Sequence, residues 1–240
     1  MAKGIPYEHS AHLYDLMYVR RHYTTTAEEI HGIIDAELPE ARDLLDVGCG
    51  TGRHLELLHD SYRGEGLDIN PMMLEQTHAR CPDIPLHEAD MRTFEIDRSY
   101  DVIICLFSAI GYVETAEAMR RSIARMDAHL RSPGLLIVEP WFTPESFWDG
   151  HLAANFQTEA ETKLAWMYRQ YREGLMAVLD IHYLVGGEGQ PEYIRERQDI
   201  GLFTPAEMTE AFRAVGLEPR YLESEVWNRG LYVAKSAARA

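Results

Sequence analysis

Asp68 and Asp90 stand where a chain could grip a nucleoside, behind a glycine turn that follows Asp46. Asp46 lies in the apolar run Leu44-Leu45-Asp46-Val47, and the glycine-rich stretch Gly48-Cys49-Gly50-Thr51-Gly52 follows at once. Asp68 stands in Gly66-Leu67-Asp68-Ile69, about twenty residues further on, and Asp90 stands in Ala89-Asp90-Met91. An apolar run, a glycine turn and a helix starting near Arg53 make a strand–turn–helix. Such a unit offers backbone N–H groups at the carboxyl end of a sheet, where open α/β sheets bind ligands. A carboxylate ending the next strand is placed to accept both hydroxyls of a ribose. At Asp90-Met91 a carboxylate and a thioether suit an adenine, by its amino group and by its face. The glycine spacing is G-x-G-x-G rather than G-x-G-x-x-G, so the turn is not read as a pyrophosphate cradle. The set fits an adenosine without phosphates, and S-adenosylmethionine (SAM) is the candidate cofactor.

These residues need a parallel sheet behind them. Extended segments at 43–47, 64–69, 86–89, 100–107 and 135–139 alternate with helical ones. Asn70-Pro71 supplies an N-cap followed by proline at the first helical position, Thr115 can cap the helix carrying Met119, Ile123, Met126 and Leu130, and Pro133-Gly134 reads as a turn. Strands separated by helices imply a doubly wound α/β fold. Ahead of the core, Thr26 and Glu29 have capping-box spacing. The first 24 residues hold Tyr14, Arg20, Arg21, His22 and Tyr23, which could form a lid, while Leu13, Leu16 and Met17 suit a helix packed on the sheet. After Glu139 the aromatic, proline-bounded stretch 140–148 reads as a loop, and 162–171, 175–185 and 192–203 read as strands of an antiparallel insertion turning at Gly186-Gly187 and Gly189. This insertion is either a substrate platform or a homodimer surface. Thr204-Pro205-Ala206-Glu207 has the marks of a helix start, Gly216 of its end, and strands near 218–223 and 231–235 close the chain. The expected architecture is one domain over 1–240: lid helices at 1–40, a cofactor-binding core at 41–139, an antiparallel β insertion at 150–203, and a C-terminal helix with the last strands at 204–235. Its main sheet is seven-stranded and mainly parallel, in the Rossmann-like manner.

Composition narrows the function classes. A chain of 240 residues, 46% apolar and 26% charged, buries a sizeable core. Its net charge of −16 opposes non-specific binding to nucleic acid or anionic membranes, while local arginines leave a phosphorylated substrate open. Three cysteines, Cys49, Cys81 and Cys105, lack metal-ligand spacing and read as thiols in a reducing compartment. The longest near-apolar run, 102–113, is too short to span a bilayer. A cytoplasmic protein with no metal site is expected, and no clustered Asp-Asp-Asn set follows the fourth strand to serve metal-dependent O-methylation.

The segment Leu45-Asp46-Val47-Gly48-Cys49-Gly50-Thr51-Gly52, with Asp68 and with Asp90-Met91, resembles three successive motifs of class I SAM-dependent methyltransferases. Tyr14-Asp15-Leu16, Leu106-Phe107-Ser108-Ala109-Ile110-Gly111-Tyr112, Val138-Glu139-Pro140-Trp141-Phe142, Arg172-Glu173-Gly174, Leu202-Phe203 and Arg229-Gly230-Leu231 further resemble the N,N-dimethyltransferases of TDP-linked 3-amino-deoxysugars, of desosamine and mycaminose type. The resemblance implies N-methylation of a small-molecule amine, with Tyr14 over the methyl donor, Tyr112 near the amine and Arg229 toward the sugar nucleotide's phosphates. Cofactor contacts are then expected from Tyr14, Tyr23, Asp46, Gly48, Cys49, Gly50, Asp68, Ile69, Met73, Asp90, Met91 and Leu106, and acceptor contacts from Ser108, Tyr112, Glu139, Trp141 and Arg229. Structural alternatives stand beside these roles: Tyr112 as a loop anchor, Glu139 as a strand-end cap, and Arg229 in a surface pair with Glu223 or Glu225. His182 reads as a sheet-surface residue. The sequence departs from the family pattern at Glu225-Val226-Trp227-Asn228, in place of a small glycine-containing turn, and is shorter around Arg20-Arg21-His22-Tyr23. Other readings of the whole are an N- or O-methyltransferase with a non-nucleotide acceptor, or a non-catalytic SAM-binding protein.

Overall fold

A computed structural model describes residues 4–19, 22–224, 226 and 229–236. Arg20, Arg21, Glu225, Trp227, Asn228 and residues 237–240 lie outside the described residues, and so do the expectations placed on them. The chain forms β1 (Asp43–Val47), α3 (Arg53–Leu58), β2 (Arg63–Asp68), α4 (Pro71–Arg80), β3 (Leu86–Glu88), β4 (Tyr100–Cys105), α5 (Ala116–Ala128) and β5 (Leu130–Val138). They are preceded by α1 (Tyr14–Met17) and α2 (Tyr23–Glu37). An antiparallel run follows, β6 (Leu152–Glu159), β7 (Thr162–Glu173), β8 (Met176–Gly186) and β9 (Glu192–Gly201), then α6 (Pro205–Arg213), β10 (Arg220–Leu222) and β11 (Leu231–Ser236).

The main sheet has seven strands in the order β10-β11-β5-β4-β1-β2-β3. β11 runs antiparallel to both of its neighbours, and the other pairings are parallel. β1 pairs with β2 on one side and β4 on the other, so the strand order reverses at β1. The crevice at the carboxyl ends of β1 and β4 is therefore where a ligand belongs. Alternation along β1 divides the core between the two faces. Leu45 and Val47 pack with Met119, Ile123, Met126, Met208 and Phe212 of α5 and α6. Leu44 packs with Ile30 and Ile34 of α2, Leu55 and Leu58 of α3, and Leu74 of α4.

Local signals explain most element boundaries. The Asn70 side chain accepts from Met72 N at 2.9 Å, and Pro71 opens α4. Thr115 caps α5, and Thr204 with Glu207 completes a reciprocal capping box on α6. Three expectations need correction. Thr26 and Glu29 do not cap α2, which starts earlier at Tyr23; Thr26 Oγ1 instead donates to Tyr23 O at 2.8 Å, inside the first turn. Pro133-Gly134 is not a turn, because β5 runs through it: pairing steps from Tyr100↔Leu130 to Val102↔Leu135, an irregularity that absorbs the extra residues. β6 was not expected, since its largely exposed residues give no alternation to read.

The second sheet is antiparallel, in the order β6-β7-β8-β9, and β9 is a free edge. Its inner face carries Leu164, Ile181, Tyr183 and Ile194, and these bury Leu13 and Leu16. The N-terminal segment thus packs on the insertion rather than on the main sheet. Polar contacts tie it to both sheets. Glu196 of β9 accepts from His9 N at 3.1 Å and from Ser10 Oγ. Toward the core, Asn70 Nδ2 donates to Pro6 O at 2.9 Å, Gln76 Nε2 to Ala11 O at 2.8 Å, and Thr51 Oγ1 to Asp15 Oδ1 at 2.7 Å.

Candidate active site

The glycine turn after β1 is held in a left-handed path, with φ of 77° at Gly48, 56° at Gly50 and 75° at Gly52. A Cβ on Gly48 would lie 2.6 Å from Ala109 Cβ, and one on Gly52 would lie 2.5 Å from Thr77 Cγ2. A Cβ on Gly50 would meet nothing within 4 Å, so this glycine faces open space. The turn's donors are largely taken by the protein. Gly48 N and Cys49 N both donate to Leu67 O, at 2.7 and 3.0 Å, Gly50 N to Asp68 Oδ2 at 2.9 Å, and Gly52 N to Cys49 O at 3.0 Å. The expectation of free N–H groups fails at these positions. The turn folds onto the end of β2 instead, which leaves it unsuited to phosphate and suited to a neutral nucleoside.

Asp68, the last residue of β2, accepts from Gly50 N and, through Oδ1 at 2.8 Å, from Asn70 N. A carboxylate has about four lone-pair sites, so each oxygen retains one for a hydroxyl. Burial pushes the Asp68 carboxyl above the usual range, and the backbone donors of Asn70, Gly50 and Ile69 oppose that rise. Asp46 is raised to about 8, first by burial and then by the neighbouring charge of Asp68. Asp90 is locked by Arg92, whose Nε lies 2.9 and 2.8 Å from its two oxygens. Burial raises this carboxyl, the Arg92 contacts outweigh it, and the result lies below the usual range.

These residues wall a cavity of about 690 Å³. Tyr14, Gly48, Gly50, Asp68, Ile69 and Met73 line it, as do Asp90, Met91 and Leu106. Tyr23, Asp46 and Cys49, with Tyr14, Gly48, Gly50 and Leu106 again, line a small recess beneath the lid segment. The twelve positions expected to touch a cofactor therefore converge on one region. The residues fit an adenosine: an open glycine, a carboxylate with acceptor sites to spare, and a slot walled by Ile69, Met73, Met91 and Leu106.

The expected acceptor residues divide. Tyr112 and Trp141 line the same cavity. Ser108, Glu139 and Arg229 are brought together, but with one another and not onto the cavity wall. Arg229 Nη2 donates to Glu139 Oε1 at 2.7 Å and its Nε to Ser108 Oγ at 3.0 Å, while Ser108 Oγ donates to Pro140 O at 2.8 Å. The guanidinium lies 4.9 Å from the Trp141 ring and 5.3 Å from Phe142. A buried carboxylate needs a countercharge, and Arg229 supplies it to Glu139. The surface pair with Glu223 is not formed.

Residues that no local pattern announced complete the site. Tyr7 is half-buried against Tyr14 and Tyr112, with ring centroids 5.0 and 6.1 Å away. Tyr112 Oη bonds with Tyr7 Oη at 3.1 Å, and Tyr7 Oη with Tyr18 Oη at 3.3 Å. Burial, and then the neighbouring phenols, push the Tyr7 hydroxyl well above its ordinary range, so it stays neutral. Gln198 of β9 accepts from Tyr112 Oη at 3.0 Å. Asp15 pairs with Arg80 and, at 3.3 Å, with Arg53, closing the segment over the glycine turn. Only folding brings these to the site; the one sequence hint was the run of tyrosines ahead of the core.

Comparison with known proteins agrees with this geometry. Residues 44–134 match a family model described as a methyltransferase domain. The chain is 36% identical over 233 residues to dTDP-3-amino-3,4,6-trideoxy-alpha-D-glucopyranose N,N-dimethyltransferase from Streptomyces venezuelae, covering 95% of this chain and 98% of that one. The crystal structure of DesVI from Streptomyces venezuelae superposes with a TM-score of 0.90 at 34% identity, over 98% of this chain and 100% of the other. SAM-bound CalS10, an amino pentose methyltransferase from Micromonospora echinaspora, superposes with a TM-score of 0.85 at 33% identity, over 99% and 100%. The site, the fold and these likenesses together place the chain in the class I SAM-dependent methyltransferases, in the family that includes the dTDP-amino-deoxysugar N,N-dimethyltransferases.

Proposed function

We propose that this enzyme methylates the amine of a nucleotide-linked amino-deoxysugar, releasing S-adenosylhomocysteine. The observation that carries the reading is the joint lining of one cavity. The nucleoside-type carboxylates Asp68 and Asp90 share it with Tyr112, Trp141 and Gln198, the last from an antiparallel insertion included in the 95% of the chain that aligns with the named sugar methyltransferase. Asp68 would take the ribose hydroxyls, Asp90 and Met91 the adenine, and Tyr14, Tyr23, Asp46, Gly48, Cys49 and Gly50 the amino-acid end. Ile69, Met73 and Leu106 would form the apolar slot. The bound cofactor supplies a methyl group on a sulfonium, whose S–C electron pair stays with sulfur as the acceptor nitrogen's lone pair makes the new N–C bond.

The chain's own residues then have three tasks. Tyr112 Oη holds the amine through one N–H, so that the lone pair faces the donor; such positioning supplies up to about 7–11 kcal/mol of the barrier. The hydroxyls of Tyr112, Tyr7 and Tyr18 form a bonded cluster that fixes Tyr112 in place, and the proton released by nitrogen after transfer leaves to solvent. Tyr14 and the segment around it exclude water. Ser108, Glu139 and Arg229 act indirectly by holding the Trp141 wall.

The test is the shift in melting temperature with S-adenosylhomocysteine, alone and with TDP, followed by mass spectrometry of a TDP-amino-sugar incubated with SAM. A ligand at a hundred times its Kd adds about 2.7 kcal/mol of stability. A shift with the cofactor product, a further shift with TDP, and one or two methyl additions to the sugar are expected. A response to the cofactor product alone, with no methylated sugar, would replace the sugar nucleotide by another amine.

A further inference from the structure

We propose that Gln198 and Trp141 select acceptors that carry a hydroxyl beside the reacting amine. The inference rests on the amino-sugar reading and adds to it the oxygen that the enzyme requires. Gln198 is only 4% exposed, yet it lines the cavity. One end of its amide is held by Tyr112, and the other, Nε2, is buried with no acceptor in the described structure. The indole Nε1 of Trp141, on the wall of the same cavity, is also buried without one. Around them the surface is apolar: Ala177, Leu179, Ile200 and Leu202 form one cluster with Tyr112 and Trp141.

Two buried donors in an apolar wall cost stability unless something meets them, and such groups are uncommon in folded proteins. A ligand oxygen would meet both, and in surroundings of low dielectric its bonds count for more than they would in water. The donors adjoin Tyr112, which is assigned to the amine, so the oxygen belongs to the carbon next to the one bearing nitrogen. A hydroxyl fits better than a phosphate oxygen. The nearby cations are already engaged, Arg195 by Asp180, Arg197 by Asp199 and Glu173, and Arg229 by Glu139, and a hydroxyl accepts from the indole while serving the amide in either orientation. Gln198 is thus a specificity residue toward the hydroxyl and a positioning residue toward Tyr112.

The experiment measures kcat/KM on a TDP-3-amino-sugar with hydroxyls on both neighbouring carbons and on its two mono-deoxy analogues. The enzymes are the wild type, Gln198→Leu and Trp141→Phe, each checked for its melting shift with S-adenosylhomocysteine. The wild type should prefer one hydroxylated position by roughly 10- to 100-fold over the analogue lacking it, because removing that oxygen leaves buried donors unmet. Both variants should reduce this ratio to within about 3-fold. A purely structural role for Gln198, acting through Tyr112, would lower turnover on all three sugars equally and leave the ratio intact, which would overturn the proposal. A wild type that accepts all three sugars equally would overturn it too. No turnover of any sugar, with a normal shift from the cofactor product, would remove the amino-sugar reading and this inference together.

Discussion

At the scale of single residues, the carboxylates of the site do different work because their surroundings differ. Asp68 accepts from backbone donors and still has lone-pair capacity left over, so its replacement removes a ligand contact. Asp68→Ala should weaken S-adenosylhomocysteine at least tenfold by calorimetry, since a hydrogen bond to a charged group contributes about 1.5–3 kcal/mol. Affinity equal to wild type would remove Asp68 from the ribose. Asp46, raised to about 8, is largely protonated at neutral pH. If the ammonium end of the ligand enters the recess that Asp46 lines, it favours the carboxylate and drives the proton out. Binding of S-adenosylhomocysteine at pH 7 should therefore release protons, read as an enthalpy that changes with the ionisation heat of the buffer, and Asp46→Asn should abolish that dependence. The Arg229–Glu139 pair, with side chains 17% and 2% exposed, predicts a structural phenotype. Arg229→Ala removes the guanidinium facing a buried carboxylate and should cost about 3–5 kcal/mol in urea unfolding. A stable variant that had lost only nucleotide affinity would return Arg229 to the phosphates.

At the scale of elements, what the sequence discloses depends on how far apart the cooperating residues lie. The turn after β1, Asp68 three residues before the Pro71 start of α4, and Asp90 each sit inside a short window whose spacing carries the geometry. Three residues at strand ends, Ser108, Glu139 and Arg229, were legible as to place but not direction. A strand end allows a side chain to face the crevice or turn behind it, and here the three side chains bond with one another. Tyr7 and Gln198 were illegible because β9 reaches the crevice only once its sheet has folded over the N-terminal segment. That segment is an element held by others. Asp15 joins it to Thr51, Arg53 and Arg80, and Glu196 joins it to β9. Asp15→Ala should loosen the cover over the glycine turn without touching the main core. Faster proteolysis within residues 4–19 and raised KM for SAM, with a melting temperature within a few degrees of wild type, are expected. Unchanged proteolysis would mean that the packing of Leu13 and Leu16 alone holds the segment.

At the scale of the molecule, two sets of carboxylates at opposite ends of one sheet pull stability in opposite directions with pH. At the amino ends of the strands Asp43 is met by Arg63 at 2.7 Å, Arg98 at 2.7 Å and Arg131 at 2.6 Å, and Asp101 by Arg131 at 2.8 Å. Burial raises both carboxyls, but the hydrogen bonds and arginine charges outweigh it, so both titrate below the usual carboxylate range. An acid depressed in the folded state stabilises fully above its unfolded pKa, about 4, and that contribution fades as pH falls through its folded value. At the carboxyl ends, Asp46 at about 8 and Asp68, also raised, do the reverse. The folded state resists their ionisation, so stability falls as pH rises from about 4, where the unfolded chain ionises, to about 8, where folded Asp46 follows. The ligand-free enzyme should therefore show its highest melting temperature in weak acid, near pH 5, with a decline on each side. Asp46→Asn should flatten the alkaline limb and spare the acid one, while Asp43→Asn should do the converse. The binding crevice is in this sense a standing cost on the fold at neutral pH. If a ligand ammonium offsets Asp46, saturating S-adenosylhomocysteine should raise the melting temperature more at pH 8 than at pH 5; an equal rise at both would detach Asp46 from the cofactor.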